Sequence, residues 1–298
     1  MTSSNTTPTA DSLRPRRSVL YMPGANERAL EKAKTLAADA LILDLEDAVA
    51  PDAKSDARAR VCAAAASGAY GHRELTIRAN GLGTTWHDAD VEAIATSGAD
   101  AIVIPKVNTR AEVDAVDAAL RAAGAPDELA IWAMLETPLA VVHAADIASH
   151  PRIAVLVMGT NDLVKELRAE HVPGRAAISH ALQACVIGAR IGGAVVLDGV
   201  FNTLDDPDGF VAECVEGRQM GFDGKTLIHP KQLAPCNDIW APDADAINHA
   251  GRVIAAFDTA EAAGQGVVIV DGRMIENLHV EQARRVLAVA DAIAGAGS

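Results

Sequence analysis

Several acids and one arginine stand where short apolar runs of this 298-residue chain come to an end. "ALILDL" (40–45) runs into Asp44, Glu46 and Asp47, and "ELTIRA" (74–79) carries Arg78. "LAIWAML" (129–135) stops at Glu136, and "IAVLVMG" (153–159) gives way to Thr160, Asn161 and Asp162. Carboxylates at the edge of a core are costly unless something pairs with them. Glu136 and Asp162 follow successive runs, so adjacent strands would bring them together, and two such groups repel unless a cation lies between them. Oxygen donors without nearby Cys or paired His favour a hard ion such as Mg²⁺. The competing reading makes Asp162 a cap for "LVKELRA" and Glu136 a first-turn residue of "PLAVVHAADIA". Against it, Thr137 before Pro138 supplies a cap-and-first-turn pair, and Thr160 or Asn161 can cap the other helix.

Arg78 is the third part of this constellation. An arginine leaving a buried strand is suited to a two-pronged grip on a carboxylate. It can equally form an ion pair with Glu46 or Asp47. Both roles are compatible, with Glu46 and Asp47 lying behind Arg78 and the ion and orienting the arginine toward a substrate.

The elements that must position these groups are legible as a repeating pattern. The runs "SVLYM" (18–22), 40–45, 74–79, "DAIVIP" (100–105), 129–135, 153–159, "AVVLDG" (194–199) and "GKTLIHP" (224–230) are short and continuously apolar. That is how parallel strands buried on both faces read. Ala-rich stretches of helical period lie between them, such as "NERALEKAKTLAA" and "TRAEVDAVDAALRAAG", the latter closed by Gly124 and Pro126. Eight strands alternating with helices predict an α/β fold, a (β/α)₈ TIM barrel, whose reactive groups gather at the C-terminal strand ends. The alternative, an open doubly wound sheet, lacks a G-x-G-x-x-G after its first strand. Beyond residue 230 a long helix, a short strand "VVIVDG" and a final helix predict a C-terminal extension packed on the barrel or on a neighbouring subunit. The expected division is a disordered tail at 1–15, the barrel at 16–240 and the extension at 241–298.

Composition narrows the function. Half of the residues are hydrophobic and 3% aromatic, which suits a large soluble core. A formal charge of −14 argues against a nucleic-acid partner, because the summed field repels phosphate. Cys62, Cys185, Cys214 and Cys236 are widely spaced and predict reduced thiols. The polar start "MTSSNTTPTADS" has no apolar leader core, and no run is long enough to cross a bilayer, so a cytoplasmic protein without a membrane partner is expected. His229 and Lys106 also lie at strand ends, where capping or packing is the plainer role. The run "RPRR" (14–17) reads as a solvated tail, and no G-x-S-x-G elbow offers a serine nucleophile.

The stretches "RRSVLYMPGANERALEKA", "ALILDLEDAVAPDAKSDAR", "TIRANGLGT", "MLETP", "VLVMGTNDL" and "GKTLIHPKQL" together resemble the citrate lyase β-subunit-like family of HpcH/HpaI-type aldolases. The resemblance runs from about residue 16 to 290. It implies a barrel assembled as homotrimers or homohexamers, Mg²⁺ as cofactor and a CoA thioester as substrate. It puts the metal on Glu136 and Asp162 and a substrate carboxylate on Arg78. It also implies an acid/base from a neighbouring chain, where the family's "M-[IV]-D" motif reads "MIE" here and places Glu276. The activity implied is reversible cleavage of a β-hydroxyacyl-CoA, of the malyl-, methylmalyl- or citramalyl-CoA type. The products would be a keto acid, glyoxylate or pyruvate, and acetyl-CoA or propionyl-CoA. Two alternatives stand beside it: a malyl-CoA thioesterase, and the β subunit of a citrate lyase complex working with an acyl carrier protein.

Overall fold

The eight apolar runs close into a ring. In the computed structural model, which describes residues 14–296, β1 (Ser18–Pro23), β2 (Ala40–Asp44), β3 (Glu74–Arg78), β4 (Ala101–Ile104), β5 (Ala130–Leu135), β6 (Ile153–Met158), β7 (Val195–Asp198) and β8 (Gly224–Leu227) pair in parallel with their sequence neighbours. β8 pairs back on β1. The open-sheet alternative is therefore excluded. Closure leaves no strand edge exposed, and each strand buries both faces.

Alternate residues of six of the strands pack into one apolar cluster, among them Val19, Ile42, Val103, Trp132, Val155 and Leu197. The helices that follow the strands are α1 (Glu27–Ala33), α2 (Lys54–Ala66), α3 (His87–Ala95), α4 (Arg110–Ala122), α5 (Pro138–Val142) and α6 (Ala144–Ala148). They continue as α7 (Thr160–Glu166), α8 (Ser179–Gly192), α9 (Pro207–Met220) and α10 (Leu233–Trp240). α4 shows how the sequence fixes such a helix. Thr109 and Glu112 form a reciprocal capping box, Val113, Val116 and Leu120 face the core, and Gly124 takes φ +81° just past the end.

The run at 14–17, expected to be solvated, is instead held by acids at Arg16 and Arg17. Residues 14 and 15 are all of the expected 1–15 tail that lies within the described residues. Arg16 is buried, and its Nε and Nη2 donate to Glu74 at 2.5 and 2.8 Å. Its guanidinium lies 5.6 Å from the Trp132 ring centroid. Arg17 makes a two-pronged pair with Asp39 at 2.8 and 2.7 Å. Both acids stand at the N-terminal ends of strands, so these arginines seal the floor of the barrel.

The chain divides into two compact units, Arg16–Asp238 and the stretch from Ile239 onward. The second has its own small core, in which Val253 and Phe257 of α11 (Ala244–Ala262) meet Val280 and Ala283 of α12 (Asn277–Ala296). Between these helices lies a hairpin of β9 (Val268–Val270) and β10 (Arg273–Ile275), where only one strand was expected. Its turn places Asp271 at φ +49° and Gly272 at +76°, the left-handed pair that a two-residue hairpin needs. Among the described residues no helix is long and apolar enough to cross a membrane.

Candidate active site

Parallel closure carries the ends of β1 to β8 to one mouth. There a cavity of about 410 Å³ is lined by Tyr21, Asp44, Asp47, Arg78, Glu136 and Asp162 with neighbouring residues. Five of the six residues expected from the sequence, Glu46, Asp47, Arg78, Glu136 and Asp162, gather at this mouth. Glu276 is not among them. It belongs to the C-terminal unit, where its side chain is exposed and its backbone N–H donates to His279 Nδ1 at 3.0 Å.

Arg78 is the anchor. Its Nε and Nη2 donate to the two carboxylate oxygens of Asp44, each at 2.7 Å, and its Nη1 faces Glu46 at 2.8 Å and Asp47 at 3.3 Å. The sequence reading expected Glu46 or Asp47 as partner and missed Asp44. The pairing follows from register: Asp44 and Arg78 are the last residues of neighbouring strands and sit opposite each other. Asp44 is fixed in turn by accepting from the backbone N–H groups of Glu46 and Ala48. The Tyr21 ring covers the guanidinium with its centroid 5.0 Å from Cζ. Burial is the largest influence on Arg78 and disfavours its charge. Hydrogen bonding and attraction from Asp44 outweigh it, so the arginine holds its proton more tightly than usual.

Glu136 is buried, and its Oε1 accepts from the Lys106 N–H at 2.7 Å. Burial, then the nearby charges of Glu46 and Asp162, push its carboxyl up to about 7. Glu46 is also pushed up to about 7, by burial first; Arg78 opposes the shift while Asp47 and Asp44 add to it. Burial raises both carboxyls first and the neighbouring acids add to it, so a cation placed among these oxygens would favour their charged forms.

The capping alternatives fail at both positions. Thr137, not Glu136, caps α5, accepting from Ala140 N with Pro138 in the first turn. α7 has no side-chain cap at all. Thr160 and Asn161, expected as its caps, do not cap it, and the Asn161 amide pairs with Asn202 instead. Asp162 is thus left with a partly exposed carboxylate in the first turn, 4.0 Å from Lys106 Nζ. Gly159 lets the strand end approach so closely that a β-carbon there would overlap the Glu136 side chain. His229 has the plain role expected of it, capping the turn at Pro230–Gln232 through Nδ1.

The donor set fits a small hard cation. Glu136 and Asp162 contribute oxygen only, and the Glu136 carboxylate is held by a backbone N–H and a tight glycine. Among the described residues no three His, Cys, Asp or Glu side chains form a cage. Two carboxylates, with water or substrate oxygens completing the shell, are what Mg²⁺ uses in such sites.

Comparison with known proteins gives the family and the fold. The model of the HpcH/HpaI aldolase/citrate lyase family covers residues 17–230. The chain belongs to that family. It is 52% identical over 280 residues to a (3S)-malyl-CoA thioesterase of Cereibacter sphaeroides, covering 94% of this chain and 96% of that one. An L-malyl-CoA/β-methylmalyl-CoA lyase of the same organism is 33% identical, with 94% of this chain and 96% of that one covered. Among solved structures, the protein CitE of Mycobacterium tuberculosis, in complex with magnesium, acetoacetate and coenzyme A, superposes with a TM-score of 0.75. It is 26% identical, over 92% of this chain and 97% of that one. The relatives named here are a lyase and a thioesterase, and this chain shares their family and the barrel fold of CitE.

Proposed function

We propose that this protein is a Mg²⁺-dependent thioesterase that hydrolyses malyl-CoA to malate and free CoA. The observation that carries this reading is the 52% identity to a malyl-CoA thioesterase along nearly the whole chain, against 33% to a malyl-CoA lyase of equal coverage. The motifs put carbon–carbon cleavage first and hydrolysis second, and the identities favour hydrolysis. In this reading Glu136 and Asp162 hold the ion, which when bound supplies a Lewis acid for the hydroxyl and carboxylate of the malyl group. Arg78, braced from behind by Asp44, with Glu46 and Asp47 beside it, presents positive charge to the same carboxylate. Water adds to the thioester carbonyl, the C–S bond breaks, and the thiolate of CoA leaves as malate forms. Glu276 from a neighbouring copy takes the proton of the attacking water at its carboxylate.

A homotrimer or homohexamer supplies that neighbour. The exposed apolar side chains Ile269, Met274 and Leu278 beside Glu276 support a surface made to be covered. The four free cysteines support a cytoplasmic setting. The lyase reading uses the same metal and arginine but breaks the carbon–carbon bond, yielding acetyl-CoA and glyoxylate. Mass spectrometry of products from malyl-CoA and citramalyl-CoA diastereomers with Mg²⁺, and with EDTA as control, separates the two. Free CoA and malate without acetyl-CoA are expected, and acetyl-CoA with glyoxylate or pyruvate would overturn hydrolysis.

A further inference from the structure

Lys106 holds a backbone conformation that its side chain makes costly. It sits at φ +55°, in the left-handed region that favours glycine. That turn aims its N–H at Glu136 Oε1. A glycine would aim the same N–H with less strain, so the geometry of Glu136 does not account for a lysine here. What the lysine adds is an ammonium group, carried above the mouth on a half-exposed side chain with Nζ 4.0 Å from Asp162 Oδ1. The same residue borders a second cavity of about 390 Å³, which Asp47 joins to the first by lining both.

Arg78, in contrast, is nearly saturated. Its Nε and one Nη2 proton serve Asp44, and its Nη1 serves Glu46 and Asp47. Three of the five guanidinium N–H groups are hydrogen-bonded, and Glu46 stands 2.8 Å from Nη1 as a further ion-pair partner. A ligand carboxylate offers two oxygens with about four lone-pair positions. The two remaining arginine protons, with Glu46 already beside Nη1, cannot fill those positions, while Lys106 has three donors and a single long contact to an acid.

We infer that Lys106 is a substrate-binding residue, the second cation that grips the carboxylate of a malyl-type ligand alongside Arg78. This rests on the reading of the mouth as a malyl site, and not on whether hydrolysis or carbon–carbon cleavage follows. The backbone turn delivers two functions from one residue: the N–H steadies a metal-holding glutamate, and the ammonium meets the ligand.

The test is calorimetric titration of L-malate into the full-length protein saturated with Mg²⁺, for wild type, Lys106→Met, Lys106→Gly and Lys106→Arg. Mg²⁺ binding without malate is measured on each. Lys106→Met and Lys106→Gly are expected to weaken L-malate roughly tenfold or more, the loss of one charge-assisted hydrogen bond. Lys106→Arg should recover most of that. Mg²⁺ affinity should stay level or tighten, because a like charge near the ion is gone. Unchanged L-malate affinity in Met and Gly overturns the proposal, and so does a parallel fall in Mg²⁺ affinity, which would make Lys106 a prop for Glu136 alone. A wild-type protein that binds L-malate with Mg²⁺ yet leaves malyl-CoA intact sinks the hydrolase reading without touching Lys106. A wild-type protein that ignores L-malate sinks both.

Discussion

The floor and the mouth of the barrel are both ringed by charge, yet only one of them is balanced. At the floor Glu74 faces Arg16 and Asp39 faces Arg17. At the mouth Arg78 and Lys106 stand among Asp44, Glu46, Asp47, Glu136 and Asp162. Paired buried charges can close a structure but bind nothing further. A cluster with more acids than cations draws in a cation, and burial with the neighbouring acids pushes the Glu46 and Glu136 carboxyls up to about 7. The difference teaches where the chain holds itself together and where it has left room for a partner.

The sharpest break in this comparison is at the metal ligands. Glu136→Gln or Asp162→Asn should lower Mg²⁺-dependent turnover of malyl-CoA by about a thousandfold or more, since the ion supplies several kcal/mol of charge stabilisation. Near wild-type kcat in both variants would refute the assignment. The floor should respond in the opposite sense. Arg16→Met takes the cation from buried Glu74 and should cost about 3–5 kcal/mol of stability in urea unfolding. The Mg²⁺ affinity of the folded protein should change by less than about twofold. A variant that unfolds no more easily than wild type would deny the floor its structural role.

A smaller effect sharpens the same contrast. Mg²⁺ at about a hundred times its dissociation constant should stabilise the wild type by about 2.7 kcal/mol and leave Asp162→Asn unmoved, read as a shift in melting temperature. The smallest expected effect is on pH. Burial lifts the Glu136 carboxyl from 4.5 to about 7. Between those values the folded metal-free protein keeps a proton that the unfolded chain has released. Stability is therefore lost as pH rises through that window. Glu136→Gln removes this titration, so its melting temperature relative to wild type should be higher at pH 8 than at pH 5, measured in EDTA. An equal difference at both values would mean that Glu136 is not held protonated by the mouth.

Much of this was legible in the sequence, for physical reasons that differ by residue. Parallel strands buried on both faces leave unbroken apolar runs, so the barrel and its strand ends could be read directly, and Glu136, Asp162 and Arg78 with them. The pairing of Arg16 with Glu74 could not, because 58 residues separate them and only closure brings them together. A basic run near a chain start reads as solvated until its acids are placed. The Asp44–Arg78 pair needed register, not composition. The left-handed backbone of Lys106 leaves no mark in a string of letters. The β9–β10 hairpin did leave one: "VIVDGRMI" puts Asp-Gly between two short apolar runs, but the second is only three residues long and opens on an arginine.

The overlap between Gly159 and Glu136 has a consequence for how this sequence can change over generations. No side chain fits at 159 while a glutamate fills the space beside it. The two positions therefore form one heritable unit. A lineage that keeps Glu136 must keep Gly159, and one in which Glu136 has shrunk to a small residue is released to vary there. A relative carrying any bulkier residue at the position of Gly159 has given up this glutamate's place in the mouth, and its chemistry must come from elsewhere.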